Sequence, residues 1–135
     1  MNQFAKIVLL AAGMVAAQPA WANFRSLNGL RVYQLDAQVF EVVGRGPYIF
    51  EDFWCSAGDY AHRKLGIPWS ADLYISRSIG PSEATGRRSA VQFTTDPAKI
   101  TEAVNERSYS FIATGRRQSV TQARGACDSR PIIRP

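Results

Sequence analysis

The sequence predicts an α+β domain: a twisted antiparallel sheet with one main amphipathic helix packed on a face, stapled by one disulfide. Three observations lead there. Short segments rich in β-branched and aromatic residues come in neighbouring pairs, which favours antiparallel hairpins. One segment carries a clear apolar stripe at helical spacing. Two cysteines, Cys55 and Cys127, follow a leader-like N-terminus. Two cysteines in an oxidising compartment pair most simply with each other.

The leader comes first. Lys6 supplies a positive charge, Ile7–Ala17 is apolar, and Ala20-Trp21-Ala22 is an A-x-A cleavage site. Residues 1–22 are therefore read as a cleaved signal peptide. Asn23–Pro135 is read as a single domain of 113 residues with a basic C-terminal tail. The alternative is a membrane anchor, but the apolar run is about half of the ~20 residues a span needs. No cysteine follows the cleavage site to carry a lipid. The expected location is periplasmic or secreted, with no transmembrane segment in the mature chain.

The elements follow in order. Leu30–Leu35 and Gln38–Val43 read as strands around Asp36-Ala37, or as one bent strand. Gly44-Arg45-Gly46-Pro47 breaks the pattern. Phe50, Phe53, Trp54, Ala57, Tyr60, Ala61 and Leu65 then recur on one helical face. Glu51 and Asp52 open this helix and Arg63 and Lys64 close it, the order its dipole favours. Pro47 suits its start, Gly66 its C-terminal cap. Gly58 costs ~1 kcal/mol mid-helix, and beside Ala57 it would let the helix lie close to a sheet. Asp72–Arg77 alternates as a strand, with Leu73 and Ile75 on one face and Tyr74 on the other. Ser78–Arg88 reads as a loop and Ser89–Thr94 as a strand. Asp96-Pro97 looks like an N-cap and first-turn proline for a short helix burying Ile100, Ala103 and Val104. Ser108–Ala113 and Gln118–Ala123 read as the last strands, before a tail from Gly125.

Composition narrows the chemistry. From Asn23 on, the chain has no methionine, one histidine (His62) and two cysteines. A tetrahedral Cys/His zinc site needs four ligands, so no metal site is read, and no cofactor motif is present. Asn23–Glu106 carries nine basic and ten acidic residues; Arg107–Pro135 carries six arginines against Asp128 alone. A basic end of this kind suits an acidic partner, although a net charge away from zero also simply favours solubility. A Cys55–Cys127 bond would close a loop of about 73 residues, worth roughly 4 kcal/mol in the chain-entropy model.

The pentapeptide ATGRR occurs twice, at Ala84–Arg88 and Ala113–Arg117. Each copy precedes an alternating segment, so each reads as a turn entering a strand, with Gly86 and Gly115 supplying positive φ. The simpler reading is one turn problem solved twice. In the functional reading both turns share one end of the sheet. Arg87, Arg88, Arg116 and Arg117 would then converge as an anion site. Guanidiniums bind phosphate, sulfate and carboxylate through charge-assisted, often bidentate bonds. Candidate ligands are lipopolysaccharide phosphate and acidic glycans. Nucleic acid fits poorly, since no RNA-binding fingerprint or aromatic run accompanies the arginines.

Trp54-Cys55-Ser56-Ala57-Gly58 superficially resembles the start of an NlpC/P60-type peptidase, which places a nucleophilic cysteine near a helix start and draws a histidine from a later strand. Here no histidine follows the helix. His62 lies seven residues from Cys55 on the same helix, ~10 Å along its axis, whereas nucleophile and base must come within ~3 Å. Cys55, Asp59 and His62 share a flank spread over two turns. No serine elbow and no carboxylate pair stands out, so no catalytic residue is assigned and the balance is against an enzyme.

WCSAGDYAHRKLGIPWS at Trp54–Ser70 and GPSEATGRRSAVQFT at Gly80–Thr94 resemble a group of small secreted proteins of alphaproteobacteria without assigned activity. The resemblance covers about half of the predicted mature chain. It implies export and brings no catalytic residue to carry over. The expected function is that of a small exported envelope protein, binding an anionic partner through Arg-rich turns or acting as a protein-interaction or inhibitor module through Ser78–Arg88. The alternative is a hydrolase acting on cell-wall or other acidic polymers.

Overall fold

The computed structural model describes residues 24–46, 49–100 and 111–128. The predicted leader, Pro47 and the chain beyond Asp128 lie outside them. Six strands form one antiparallel sheet: β1 (Phe24–Arg25), β2 (Arg31–Gln34), β3 (Val39–Val43), β4 (Asp72–Gly80), β5 (Ala90–Thr94) and β6 (Arg117–Ser119). The spatial order is β1-β2-β3-β5-β4-β6. Helix α1 (Phe50–Arg63) connects β3 to β4, and helix α2 (Val120–Gly125) follows β6 directly. The α+β architecture read from the sequence is the one observed.

Period-two alternation sorts each strand onto two faces. Val32, Phe40, Val42, Leu73, Ile75, Val91 and Phe93 bury their side chains against Phe53, Trp54, Ala57, Tyr60 and Ala61 of α1. Tyr60 meets Phe40 at 4.8 Å between ring centroids, and Trp54 meets Phe93 at 5.1 Å. Such pairs add about 0.5–1.5 kcal/mol each beyond the area they bury. Their polar tips are satisfied: Trp54 Nε1 donates to the Phe111 carbonyl at 2.6 Å and the Tyr60 hydroxyl to Gln34 Oε1 at 2.6 Å. Cys55 and Cys127 are disulfide-bonded, joining α1 to the end of α2.

Several local expectations are corrected. Gln118–Ala123 is a strand only to Ser119. There Ser119 caps a helix, accepting from the Gln122 amide at 3.1 Å while Gln122 Oε1 accepts from the Ser119 amide at 3.0 Å. This reciprocal cap satisfies two otherwise orphaned donors and outweighs the alternating pattern. Gly58 meets α2, not the sheet: a Cβ there would lie 2.4 Å from Arg124 N and 2.8 Å from Ala123 C. Phe50 is exposed at the first position of α1, while Asp52 and Phe53 just behind it are buried. Asp96 does accept from Ala98 N, but only a single 3₁₀ turn, Pro97–Lys99, follows before Ile100 turns extended. Ala103 and Val104 lie outside the described residues, as do residues 108–110 of the predicted Ser108–Ala113 strand. Its remainder is a turn, with Arg116 N bonding the Ala113 carbonyl. The predicted loop from Ser78 begins later, since β4 runs to Gly80 with register shifts along its pairing to β5. Strand β1 is additional; at two residues it is too short to show a periodicity.

Candidate functional site

Both copies of ATGRR are turns with glycine at positive φ, 72° at Gly86 and 84° at Gly115. Each leads into a strand, β5 and β6. Their surroundings differ. The second copy lies along β4: Gly115 N bonds the Ile75 carbonyl and Ile75 N bonds the Arg116 carbonyl. Arg116 stands over the Phe111 ring at 5.3 Å and Arg117 lies 4.0 Å from Asp72. The first copy sits at the opposite side of the sheet, where Arg87 lines a cavity with residues of β2 and β3. Strands β2 and β6 are four intervals apart, about 19 Å at ~4.8 Å per interval. The structure therefore does not bring Arg87 together with Arg116 and Arg117. Arg88 is exposed beside Arg87.

What the fold does gather around Arg87 is a different set. The cavity, about 440 Å³, is lined by Gly29, Arg31 and Tyr33 on one side, Val43, Gly44 and Arg45 on the other, and Thr85 and Arg87 above. It lies on the sheet face opposite the helices, because Arg31 pairs with Val43 and Tyr33 with Glu41, in alternation with core-facing Val32 and Val42. Arg25 stands directly across from Arg31 in the β1–β2 register. Like charges placed opposite each other destabilise a sheet. Among the described residues no carboxylate forms an ion pair with Arg25, Arg31, Arg45 or Arg87. The floor is tight at Gly44, where a Cβ would lie 2.9 Å from the Ser89 carbonyl oxygen and 3.1 Å from Phe53.

The segment Pro81–Arg88 reaches this cavity by folding back over the sheet. Glu41, on the same face, is fully buried beneath it. The Glu41 carboxylate accepts from Glu83 N at 3.1 Å and Ala84 N at 3.4 Å, and Arg77 lies 3.9 Å away. Burial pushes the carboxyl above its ordinary value, against the opposing pull of bonds from Ser82, Ala84 and Glu83 and the charge of Arg77. Arg77 Nε and Gln92 Nε2 are buried beside it without a hydrogen-bond partner among the described residues.

The catalytic candidates disperse. Cys55 Sγ is bonded to Cys127, so it offers no thiol. His62 stacks on Trp69 with ring centroids 3.6 Å apart. Asp59, fully buried, holds Arg63 through two bonds of 2.6 and 2.7 Å, accepts from Leu27 N, and lies 3.9 Å from Arg124. Its role is to tie the N-terminal turn and α2 to α1. The buried carboxylates Glu41 and Asp59 lie on opposite sides of the sheet and do not form a pair.

Arg25, Arg31, Tyr33 and Arg45 were not singled out from the sequence. Only Arg45 carries a local cue, the glycines Gly44 and Gly46 that flank it; the others are brought together by the β1–β2–β3 register. No protein-family model, no curated protein and no solved structure matches the chain.

Proposed function

We propose that this chain is an exported, non-enzymatic envelope protein that binds an anionic partner at the cavity between Arg31, Arg45 and Arg87. The observation that carries the reading is three guanidiniums around one concavity, with no carboxylate paired to them among the described residues. Guanidinium forks match the oxygens of phosphate, sulfate and carboxylate groups. Tyr33 and Thr85 add hydroxyl-bearing side chains to the same lining. A lipopolysaccharide phosphate or an acidic glycan supplies these groups outside the cytoplasm. Export is supported by the leader pattern with its Ala20-Trp21-Ala22 site and by the disulfide, a bond that persists in oxidising compartments. No helix among the described residues is long and apolar enough to cross a membrane.

The test is elution from heparin resin, a sulfated-glycan probe, with rising salt. Two double variants remove equal charge: R45A/R87A at the cavity and R116A/R117A at the β6 edge. The cavity variant is expected to elute at clearly lower salt than the edge variant, because local geometry adds to general charge attraction. Equal elution of the two would reduce the effect to net charge and remove the site.

A further inference from the structure

The segment Pro81–Arg88 is built as a strap. Its two ends are close, since Gly80 and Ala90 are cross-strand partners. Yet its middle does not stay at the end of that hairpin. It crosses β5 and lands on Glu41 of β3, one strand beyond. The strap closes on itself as a small unit: Ser82 N bonds the Arg87 carbonyl, Gly86 N bonds the Ser82 carbonyl, and Thr85 N bonds Ser82 Oγ. Its position therefore moves Thr85 and Arg87 together. On its other flank lies a second concavity of about 330 Å³, lined by Leu35, Val39, Glu83, Gln92 and Lys99 among others. The strap is thus a bridge between two hollows, seated on one buried carboxylate.

We propose that Glu41 is a proton-sensitive latch for the anion site: protonated, it keeps the strap seated with Arg87 and Thr85 at the cavity; ionised, it lets the strap lift and anion binding weaken. The proposal rests on the cavity being the anion site. Seating the strap takes Glu41 out of water, and burial disfavours its charged form more than the Ser82 side chain, the Ala84 and Glu83 amides and the charge of Arg77 favour it. Lifting the strap returns the carboxyl to water and to its ordinary titration. Protonation and seating must then favour each other, by linkage. The groups facing Glu41 are Tyr33 across β2, Gln92 across β5, Arg77 from β4, and Ser82, Glu83 and Ala84 on the strap. Arg77 Nε and Gln92 Nε2 are buried without a hydrogen-bond partner among the described residues, and unmade bonds of this kind count against the state that buries them.

The experiment is calorimetric binding of heparin, whose sulfates stay ionised, from about pH 4 to about pH 8, spanning the ordinary carboxylate range and well above it. The wild-type protein is expected to lose at least about fivefold in affinity as pH rises, the lower end of ordinary coupling between linked sites. Glu41→Gln, a neutral isostere of the protonated acid, is expected to bind tightly with little pH dependence. Affinity that is flat with pH, or that rises with it, overturns the latch, as does E41Q following the wild-type curve. A second measurement needs no variant: carbon NMR titration of the Glu41 carboxyl with and without heparin. Its midpoint should move up in the complex, and an unmoved midpoint rejects the coupling. Loss of binding in R45A/R87A alongside a flat wild-type pH profile would reject the latch and keep the site. Retained binding in R45A/R87A would reject the site itself.

Discussion

Gly58 has no side chain because α2 leaves no room for one. The atoms a Cβ would strike are backbone, Arg124 N at 2.4 Å and Ala123 C at 2.8 Å, so no rotamer change relieves the contact. Gly58→Ala gains ~1 kcal/mol of helix propensity but forces α2 away from α1. The net expectation is a loss of about 1–3 kcal/mol, read from the urea midpoint; a midpoint at or above wild type would mean that α2 shifts freely. Asp59 and Glu41 make opposite contributions to pH dependence. Burial raises the Asp59 carboxyl, but bonds from Arg63 and Leu27 N and the charges of Arg63 and Arg124 outweigh it and hold it below its ordinary value. Its stabilisation is present above the unfolded carboxyl value and is lost as pH falls through the lowered folded one. Glu41 is raised, so its contribution is full below the unfolded value and is lost as pH climbs through the folded one. Asp59→Asn should cost about 2 kcal/mol at neutral pH, from lost charge-assisted hydrogen bonds, and should flatten the fall in stability below about pH 4. Denaturation curves across pH check both; an unchanged acid limb in D59N would assign that limb to other carboxylates.

At the scale of elements, α1 is legible because its signals are local. Apolar spacing, acidic first turn, basic last turn and Gly66 at positive φ all occur within one stretch. Helix α2 is less legible. Ser119-Val120-Thr121-Gln122 alternates like a strand, and only the Ser119–Gln122 cap, together with the groove opposite Gly58, turns the chain into a helix. Once formed, α2 is tied to α1 by the Cys55–Cys127 bond across a sequence separation of 72. Reduction should lower the unfolding free energy by about 4 kcal/mol if the cross-link acts mainly on the unfolded chain. Denaturant titrations with and without reductant measure this; a loss under about 1 kcal/mol would mean the unfolded chain is little constrained by the bond.

For the whole molecule, local physics and global arrangement separate cleanly. The α+β class, the main helix, the Cys55–Cys127 pairing and the positive φ of both ATGRR turns are legible in the amino-acid order alone. Each follows from residues close together in the chain, or, for the disulfide, from there being two cysteines to pair. Tertiary structure alone decided which arginines meet. Arg87 joins Arg31 and Arg45, while its look-alikes Arg116 and Arg117 stand across the sheet, because β5 inserts between β3 and β4 and β6 takes the far edge. Tertiary structure also decided that Glu41, an ordinary polar position in an alternating strand, would be buried by a strap 42 residues further on. Alternation says which face of a strand a residue takes. Strand order and register say what covers that face, and those depend on contacts between segments far apart in the chain.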